Sequence, residues 1–265
     1  MKIIRNLSLA IRFLTIIPII SSPTSNNTNN NEVVLEEDFA NSMAFFPLVG
    51  MLIGILLVFL RQILHYLSVS ALLSNALILV FWIWISGGLH LDGFADSIDG
   101  FLGGNNKEEI LRIMKDSATG AKGVVALVSL LLLKFVLLVE MPLFLKDTAL
   151  FFTPIIGRWS MVIAAFLGKP ARLRDSIGKL FMDYISWKEA LFATLTLVIV
   201  GILLFRVYIL FLIIIGIVVI FLILKYCHIK IGGISGDILG AINEIVELCC
   251  LLVIYLFTLS ILQGI

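Results

Sequence analysis

The stretch 207–224, VYILFLIIIGIVVIFLIL, runs for eighteen residues without one charged side chain. A helix of about 20 apolar residues is long enough to cross a hydrocarbon core about 30 Å thick. The apolar run is continuous, whereas a strand of a membrane β-barrel alternates apolar and polar residues over about ten positions. This stretch therefore predicts a transmembrane helix, and with it an all-α membrane fold.

Six further apolar stretches occur along the chain, and the overall composition agrees with them. Of the 265 residues, 60% are hydrophobic and 14% are charged, whereas a soluble domain carries roughly 25% charged residues. We predict one integral membrane domain over residues 1–265, a polytopic transmembrane helical bundle of about seven spans. The predicted spans lie near 43–64, 71–89, 118–139, 148–167, 188–205, 207–224 and 238–263.

The N-terminal segment is apolar but too short to cross a membrane. Arg12 interrupts it and leaves only Phe13–Ile20 without a charge. The small-residue cleavage pattern of a signal peptide is absent. We therefore expect an N-terminal interfacial or re-entrant helix, followed by a solvated polar loop over 21–31.

Basic residues are concentrated in alternate loops between the predicted spans. Because lysine and arginine accumulate in short cytoplasmic loops, this distribution predicts a cytoplasmic N-terminus and a cytoplasmic position for the acidic motifs described below. The net charge of +1 argues against nucleic acid as a partner, since such a face would need clustered basic residues. The basic residues of these loops are Lys107, Arg112, Lys115, Lys169, Arg172, Arg174, Lys179, Lys188, Lys225 and Lys230.

The strongest chemical signal is the glycine-punctuated acidic segment His90–Gly104, at the end of the second predicted span. On a helix, Asp92, Asp96 and Asp99 take positions i, i+4 and i+7 and form one stripe. Carboxylates at a membrane edge need a counter-charge, and oxygen ligands without cysteine favour Mg²⁺ shared with substrate phosphates. The stripe predicts a Mg²⁺ site, with a solvated acidic loop as the alternative. His90 fits a metal ligand, a phosphate contact or an interfacial side chain.

A second motif, Lys107–Gly123, combines a short amphipathic helix with basic and acidic side chains. Arg112 and Lys115 can bind phosphate oxygens, and Asp116 can add a ligand or act as a base. The alternative is the ordinary basic collar of a cytoplasmic membrane boundary.

A third motif, Lys230–Glu247, places Asp237, Glu244 and Glu247 at i, i+7 and i+10 at the start of the last predicted span. Acidic residues inside an apolar helix are costly and usually functional. The alternative is that they pair with a basic residue of another span, for which Arg158 is the obvious candidate; that arginine can equally clamp a substrate phosphate. Two acidic stripes and nearby glycines suggest metal-assisted transfer at phosphorus.

Three motifs resemble, in order and spacing, those of the cobalamin-5′-phosphate synthase family, the adenosylcobinamide-GDP ribazoletransferases. They are GGLHLDGFADSIDGFLGG at 87–104, IMKDSATGAKG at 113–123 and GGISGDILGAINEIVE at 232–247, and the similarity covers nearly the whole chain. The departures are mild: Ser235 stands where threonine is common, Lys230 where arginine is common, and the loop 21–31 resembles an insertion.

The resemblance implies a Mg²⁺-dependent phosphotransferase in the plasma membrane of a prokaryote, with its active site facing the cytoplasm. Its substrates would be adenosylcobinamide-GDP and α-ribazole or α-ribazole 5′-phosphate, and its products GMP and adenosylcobalamin or its 5′-phosphate. The lipid bilayer is its surroundings, and the sequence leaves the oligomeric state open, a homo-oligomer included.

The resemblance also suggests roles for individual residues. Asp96–Gly100 has the DxxDG form that opens the motif of CDP-alcohol phosphotransferases, and by that similarity Asp92, Asp96 and Asp99 are assigned to the metal. Asp116 and Glu244 are candidates for activating the acceptor hydroxyl. The predicted substrate-binding residues are His90, Arg112, Lys115, Arg158, Gly233 and Asp237.

Two other functions remain as alternatives. A lipid-forming CDP-alcohol phosphotransferase is disfavoured because Phe101–Gly104 replaces the remainder of the DxxDGxxAR motif. A divalent cation transporter is disfavoured because the aspartates cluster at one edge and do not continue across the bilayer.

Overall fold

A computed structural model of the chain describes residues 2–19, 31–171 and 177–262. These ranges are helical apart from short connections and one isolated parallel β-bridge, between Pro170 and Ile234. The prediction of an all-α fold is confirmed.

Some predicted features lie outside the described residues. These are the polar loop over 21–31, except its last residue, and the basic residues Arg172 and Arg174. The described α-helices are α1 Lys2–Leu14, α2 Asn31–Asn41, α3 Phe46–Tyr66, α4 Ala71–Ile85, α5 Leu89–Gly103, α6 Lys107–Ile113, α7 Ala121–Glu140, α8 Leu143–Leu167, α9 Ile177–Tyr184, α10 Trp187–Phe205, α11 Ile209–Ile231 and α12 Gly236–Leu262.

Five helical segments of the described chain are long and apolar enough to cross a membrane, and the bent pair of α4 and α5 would make a sixth. The longest segment, Trp187–Ile231, contains both α10 and α11. Trp159 of α8 donates its indole N–H to Thr194 of α10 at 3.0 Å, and its ring lies 3.0 Å from the position of a Cβ on Gly216 of α11.

In one continuous helix, positions 194 and 216 would be about 33 Å apart at 1.5 Å per residue. Because one side chain touches both, the chain must reverse between α10 and α11, at the 3₁₀ turn Arg206–Tyr208. The two helices therefore lie side by side against α8. Each of the seven predicted spans thus overlaps one helix of the described chain.

The second predicted span, 71–89, is wrong at its end. Helix α4 stops at Ile85, and its fifteen residues reach about 22 Å, less than the hydrocarbon thickness. The chain then bends by 85° into α5. The bend uses Gly87 and Gly88, whose φ angles of 62° and 68° lie in the left-handed region that only glycine enters at little cost.

Helix α1 agrees with the prediction of a short N-terminal helix that does not span. It has thirteen residues, and Asn6, Ala10 and Leu14 form a buried face against the bundle. Arg5 forms a salt bridge with the buried Asp38 of α2.

Helix α8 is the centre of the bundle and contacts α3, α10, α11 and α12. It meets α3 at very short range, because a Cβ on Gly50 or Gly54 would lie 2.4 or 2.3 Å from a backbone oxygen of α8. Small residues four apart are a common device for close helix packing in membranes. This packing fixes the scaffold on which α5, α7 and α12 meet.

Candidate active site

The three predicted metal ligands lie on one helix, as the spacing indicates, but their surroundings differ. Asp92 is exposed, Asp96 is half-buried and Asp99 is buried at 8% exposure. The stripe therefore runs from the surface into the bundle, and its members cannot all play the same part.

Asp99 is engaged by the backbone of α7. Its two carboxylate oxygens accept hydrogen bonds from Gly120 N–H at 2.7 Å and Gly123 N–H at 2.8 Å. These are unpaired donors of the first helical turn, where a negative charge is favourable. A Cβ on Gly120 or Gly123 would lie 2.5 or 2.2 Å from an Asp99 oxygen, so both glycines are needed for this contact.

The start of α12 brings a second acidic residue to the same place. A Cβ on Gly93 of α5 would lie 2.7 Å from the backbone oxygen of Asp237, and one on Gly240 of α12 would lie 3.2 Å from the Cα of His90. The negative charges of Asp92, Asp237 and Asp99 interact electrostatically with the Asp96 carboxyl group. The two acidic motifs predicted from the sequence therefore converge at one end of the bundle.

Divalent metal fits this acidic cluster by donor chemistry. No group of three or more His, Cys, Asp or Glu side chains in the described ranges is arranged to hold a metal ion. However, Mg²⁺ keeps several waters and often takes only one or two carboxylates, with substrate phosphates supplying further ligands. Neither Asp92 nor Asp96 forms a salt bridge with a described residue, so their charges lack a protein counter-ion there.

The second motif lies beside the acidic residues of α5, and most of its polar side chains are exposed. Met114, the residue directly after α6, packs on α5, and its Cγ lies 2.5 Å from the position of a Cβ on Gly100. Arg112, Lys115 and Asp116 point toward solvent, and one Asp116 oxygen accepts a hydrogen bond from Ala118 N–H at 3.1 Å. These three predicted site residues are therefore accessible to a soluble substrate.

The third motif leads instead into a buried ion-pair cluster. Lys134 of α7 donates to Glu244 and to Glu247 of α12, each at 2.6 Å. Arg158 of α8 pairs with Glu247, and its Nη2 lies 3.4 Å from His90 Nδ1. All five residues are at most 5% exposed.

This cluster realises the pairing that the sequence offered as the alternative for Arg158. Two carboxylates face two cations, so the charges balance, and removing any one would leave a buried charge unpaired. Glu244 lies seven residues beyond Asp237, about 10 Å along the helix. Glu244, Arg158 and His90 are thus grouped away from the exposed acidic edge.

Lys134 is the site-adjacent residue that sequence reasoning missed. It is the one charge within the apolar core of α7, and a charge in such a position requires a partner. Its ammonium group lies over the Trp82 ring, with Nζ 5.0 Å from the ring centroid. The signal was therefore present in the sequence, but its partner's identity required the fold.

Gly233, predicted to bind substrate, makes a close backbone contact. A Cβ there would lie 2.3 Å from the backbone oxygen of Lys169. The next residue, Ile234, donates to Lys169 O at 2.8 Å and accepts from Ala171 N–H at 2.9 Å. The glycine lets the segment before α12 lie directly against the segment after α8.

A polytopic helical bundle with acidic side chains converging from two helices at one end defines an integral membrane enzyme with a polar site at its edge. The chain belongs to the cobalamin-5-phosphate synthase family, whose sequence model matches residues 6–255. It is accordingly a membrane transferase of cobalamin biosynthesis.

Curated relatives agree over nearly their full length. The chain is 34% identical to the adenosylcobinamide-GDP ribazoletransferase of Clostridium acetobutylicum, covering 96% of this chain and 97% of the relative. It is 36% identical to the protein of that name from Caldanaerobacter subterraneus subsp. tengcongensis, covering 94% and 96%. No solved structure matches the chain.

Proposed function

We propose that this chain transfers the adenosylcobinamide phosphate moiety of adenosylcobinamide-GDP to α-ribazole or α-ribazole 5′-phosphate. The acceptor hydroxyl oxygen forms a bond to the phosphorus atom that carries the cobinamide group. The bond between that phosphorus and the bridging oxygen of the pyrophosphate breaks. GMP leaves with the bridging oxygen, and the hydroxyl proton passes to a base. The convergence of the acidic face of α5 with the start of α12 carries this proposal.

Asp92 and Asp96 are the residues we assign to Mg²⁺, with Asp237 beside them. When bound, the metal would neutralise phosphate charge on the donor and the leaving group. We assign Asp99 to positioning, since both of its oxygens already hold the start of α7.

Arg112 and Lys115 are proposed to bind substrate phosphate, and Asp116 is proposed to take the acceptor proton. Their exposure next to α5 supports these roles, because a bulky soluble donor can reach them. The ion pair between Glu244 and Lys134 favours a positioning role for Glu244 over that of a base.

The substrates are proposed to reach the site from the cytoplasm, at the inner face of the plasma membrane. Support comes from Lys107, at the start of α6, and Lys169, directly after α8, since both lie close to the segment that leads into α12. The acidic cluster lies at that same end of the bundle.

The test is to incubate purified protein with adenosylcobinamide-GDP, α-ribazole and Mg²⁺, and to measure GMP and the cobalamin product. We expect both in equal amounts, and no product when EDTA removes divalent metal. Release of CMP from a CDP-alcohol without cobinamide turnover would instead support a lipid-forming phosphotransferase. Metal flux into proteoliposomes without nucleotide substrate would support a transporter.

A further inference from the structure

A groove of about 460 Å³ lies between the C-terminal ends of α8 and α11. Its apolar wall is formed by Leu167, Phe221 and Leu224. Phe221 is 62% exposed and Leu167 58% exposed, as expected for side chains that face the hydrocarbon core. The groove therefore opens toward lipid along this apolar wall.

The part of the groove opposite the apolar wall is basic. Lys169, Lys225 and His228 line it, and no acidic residue does. On α11, Lys225 and His228 follow directly after the apolar wall, which puts them about one helical turn closer to the water. Neither lysine forms a salt bridge with any residue that the structure describes.

An apolar wall below two cations is complementary to an anionic amphiphile. Basic pockets between transmembrane helices at a membrane surface bind the head groups of anionic lipids. The volume also falls within the roughly 300–1,000 Å³ of small-molecule sites. We propose that this groove binds an anionic phospholipid, with its phosphate on Lys169 and Lys225 and an acyl chain along Phe221 and Leu224.

The groove is joined to the start of α12 by backbone contacts. Its lining includes Gly233 and Ile234, and Ile234 exchanges hydrogen bonds with the segment that carries Lys169. Asp237 follows three residues later. A lipid bound here stabilises the segment that places Asp237 against α5, a role beyond the transfer reaction itself.

A second groove of about 460 Å³ offers an internal comparison. It is also mainly apolar, with Phe59 and Phe151 in its wall, but its one charged lining residue is Asp147. That carboxylate is held by Arg61. We expect this groove to show no preference for an anionic head group.

The experiment measures lipid binding by the full-length protein without substrates, so that its result is independent of the proposed activity. Phosphatidylglycerol or phosphatidylcholine is titrated onto the detergent-purified protein, and bound lipid is counted by native mass spectrometry. We expect one site selective for phosphatidylglycerol. Lys169→Gln and Lys225→Gln should each weaken it about fivefold, given the usual contribution of one lysine to anionic lipid binding.

Two controls sharpen the result. Lys188→Gln, an exposed lysine at the start of α10, should leave the affinity unchanged, and Lys169→Arg should retain it. Equal affinity for the two lipids, or an unchanged affinity in the double glutamine variant, would overturn the proposal. Displacement of the lipid by millimolar inorganic phosphate or GMP would also overturn it, and would assign the groove to a soluble phosphate.

Discussion

Asp99 accepts hydrogen bonds from two backbone amides at the start of α7, whereas Asp96, three residues earlier, faces other carboxylates. Asp99→Asn should therefore act on stability, because the amide NH₂ would face an N–H donor. Losing one hydrogen bond to a charged group costs about 1.5–3 kcal/mol. Thermal unfolding in detergent should show a lower Tm, while Asp92→Asn, at an exposed position, should leave the Tm unchanged. An unaltered Tm for Asp99→Asn would contradict the positioning role.

Asp96→Asn should show the opposite behaviour. It removes a charge from a repulsive acidic cluster, so the Tm should be preserved or raised. GMP release should fall on the order of 10²-fold or more, as when one electrostatic group of a transition-state site is removed. Steady-state turnover at saturating Mg²⁺ measures this. Normal turnover by the purified variant would remove Asp96 from the site.

At the scale of elements, the contact between α5 and α12 depends on glycine. Gly93→Ala would put a methyl group 2.7 Å from the backbone oxygen of Asp237, and neither backbone can yield without separating the helices. We expect a loss of about 1–3 kcal/mol of stability together with a loss of turnover. Gly103→Ala on the same helix is the matched control, because its Cβ would meet only the flexible end of Ile113, at 3.1 Å. Equal behaviour of the two variants would argue against a tight crossing.

The buried ion-pair cluster predicts a specific non-additivity between α7 and α12. Lys134→Met leaves two buried carboxylates against Arg158 alone, which costs about 3–5 kcal/mol. Adding Glu244→Gln restores charge balance, so the double variant should be more stable than Lys134→Met. Chemical unfolding of the single and double variants gives the coupling energy, for which contacting residues show about 0.5–3 kcal/mol. Strictly additive losses would show that the cluster does not act as a unit.

Sequence patterns predicted the elements of the site better than their connections. The i, i+4, i+7 spacing correctly placed three aspartates on one helix, since helical periodicity depends only on local geometry. The break before α5 was not predicted, because hydropathy does not report a bend. The partners of Asp99 and Glu244 lie 21 to 24 and 110 residues away, and such pairings depend on helix packing.

At the scale of the whole molecule, the site is assembled from distant parts of the chain. Helix α5 carries the acidic stripe, and the start of α7 donates hydrogen bonds to Asp99. Helix α12 places Asp237 against α5. Helix α8 pairs with α12 at the centre of the bundle through Arg158. The bend between α4 and α5 turns the acidic helix across the end of the bundle. The acidic stripe and the start of α12 meet at the end where α8 and α11 finish. The direction of the bundle in the membrane therefore decides which compartment supplies the substrate.

The direction of the bundle in the membrane predicts which introduced cysteines a reagent outside the cell can reach. Ser70 lies in the turn between α3 and α4, at the opposite end of the bundle from Lys188, which is in the first turn of α10. If basic loops face the cytoplasm, Ser70→Cys should react with a membrane-impermeant maleimide in intact cells. Lys188→Cys should react only after the cells are permeabilised. The unsubstituted protein corrects for its own cysteines, of which Cys227 and Cys250 are buried. Labelling of Lys188→Cys in intact cells would show that the bundle has the opposite orientation in the membrane. The acidic cluster would then lie on the outer face, away from a cytoplasmic nucleotide donor.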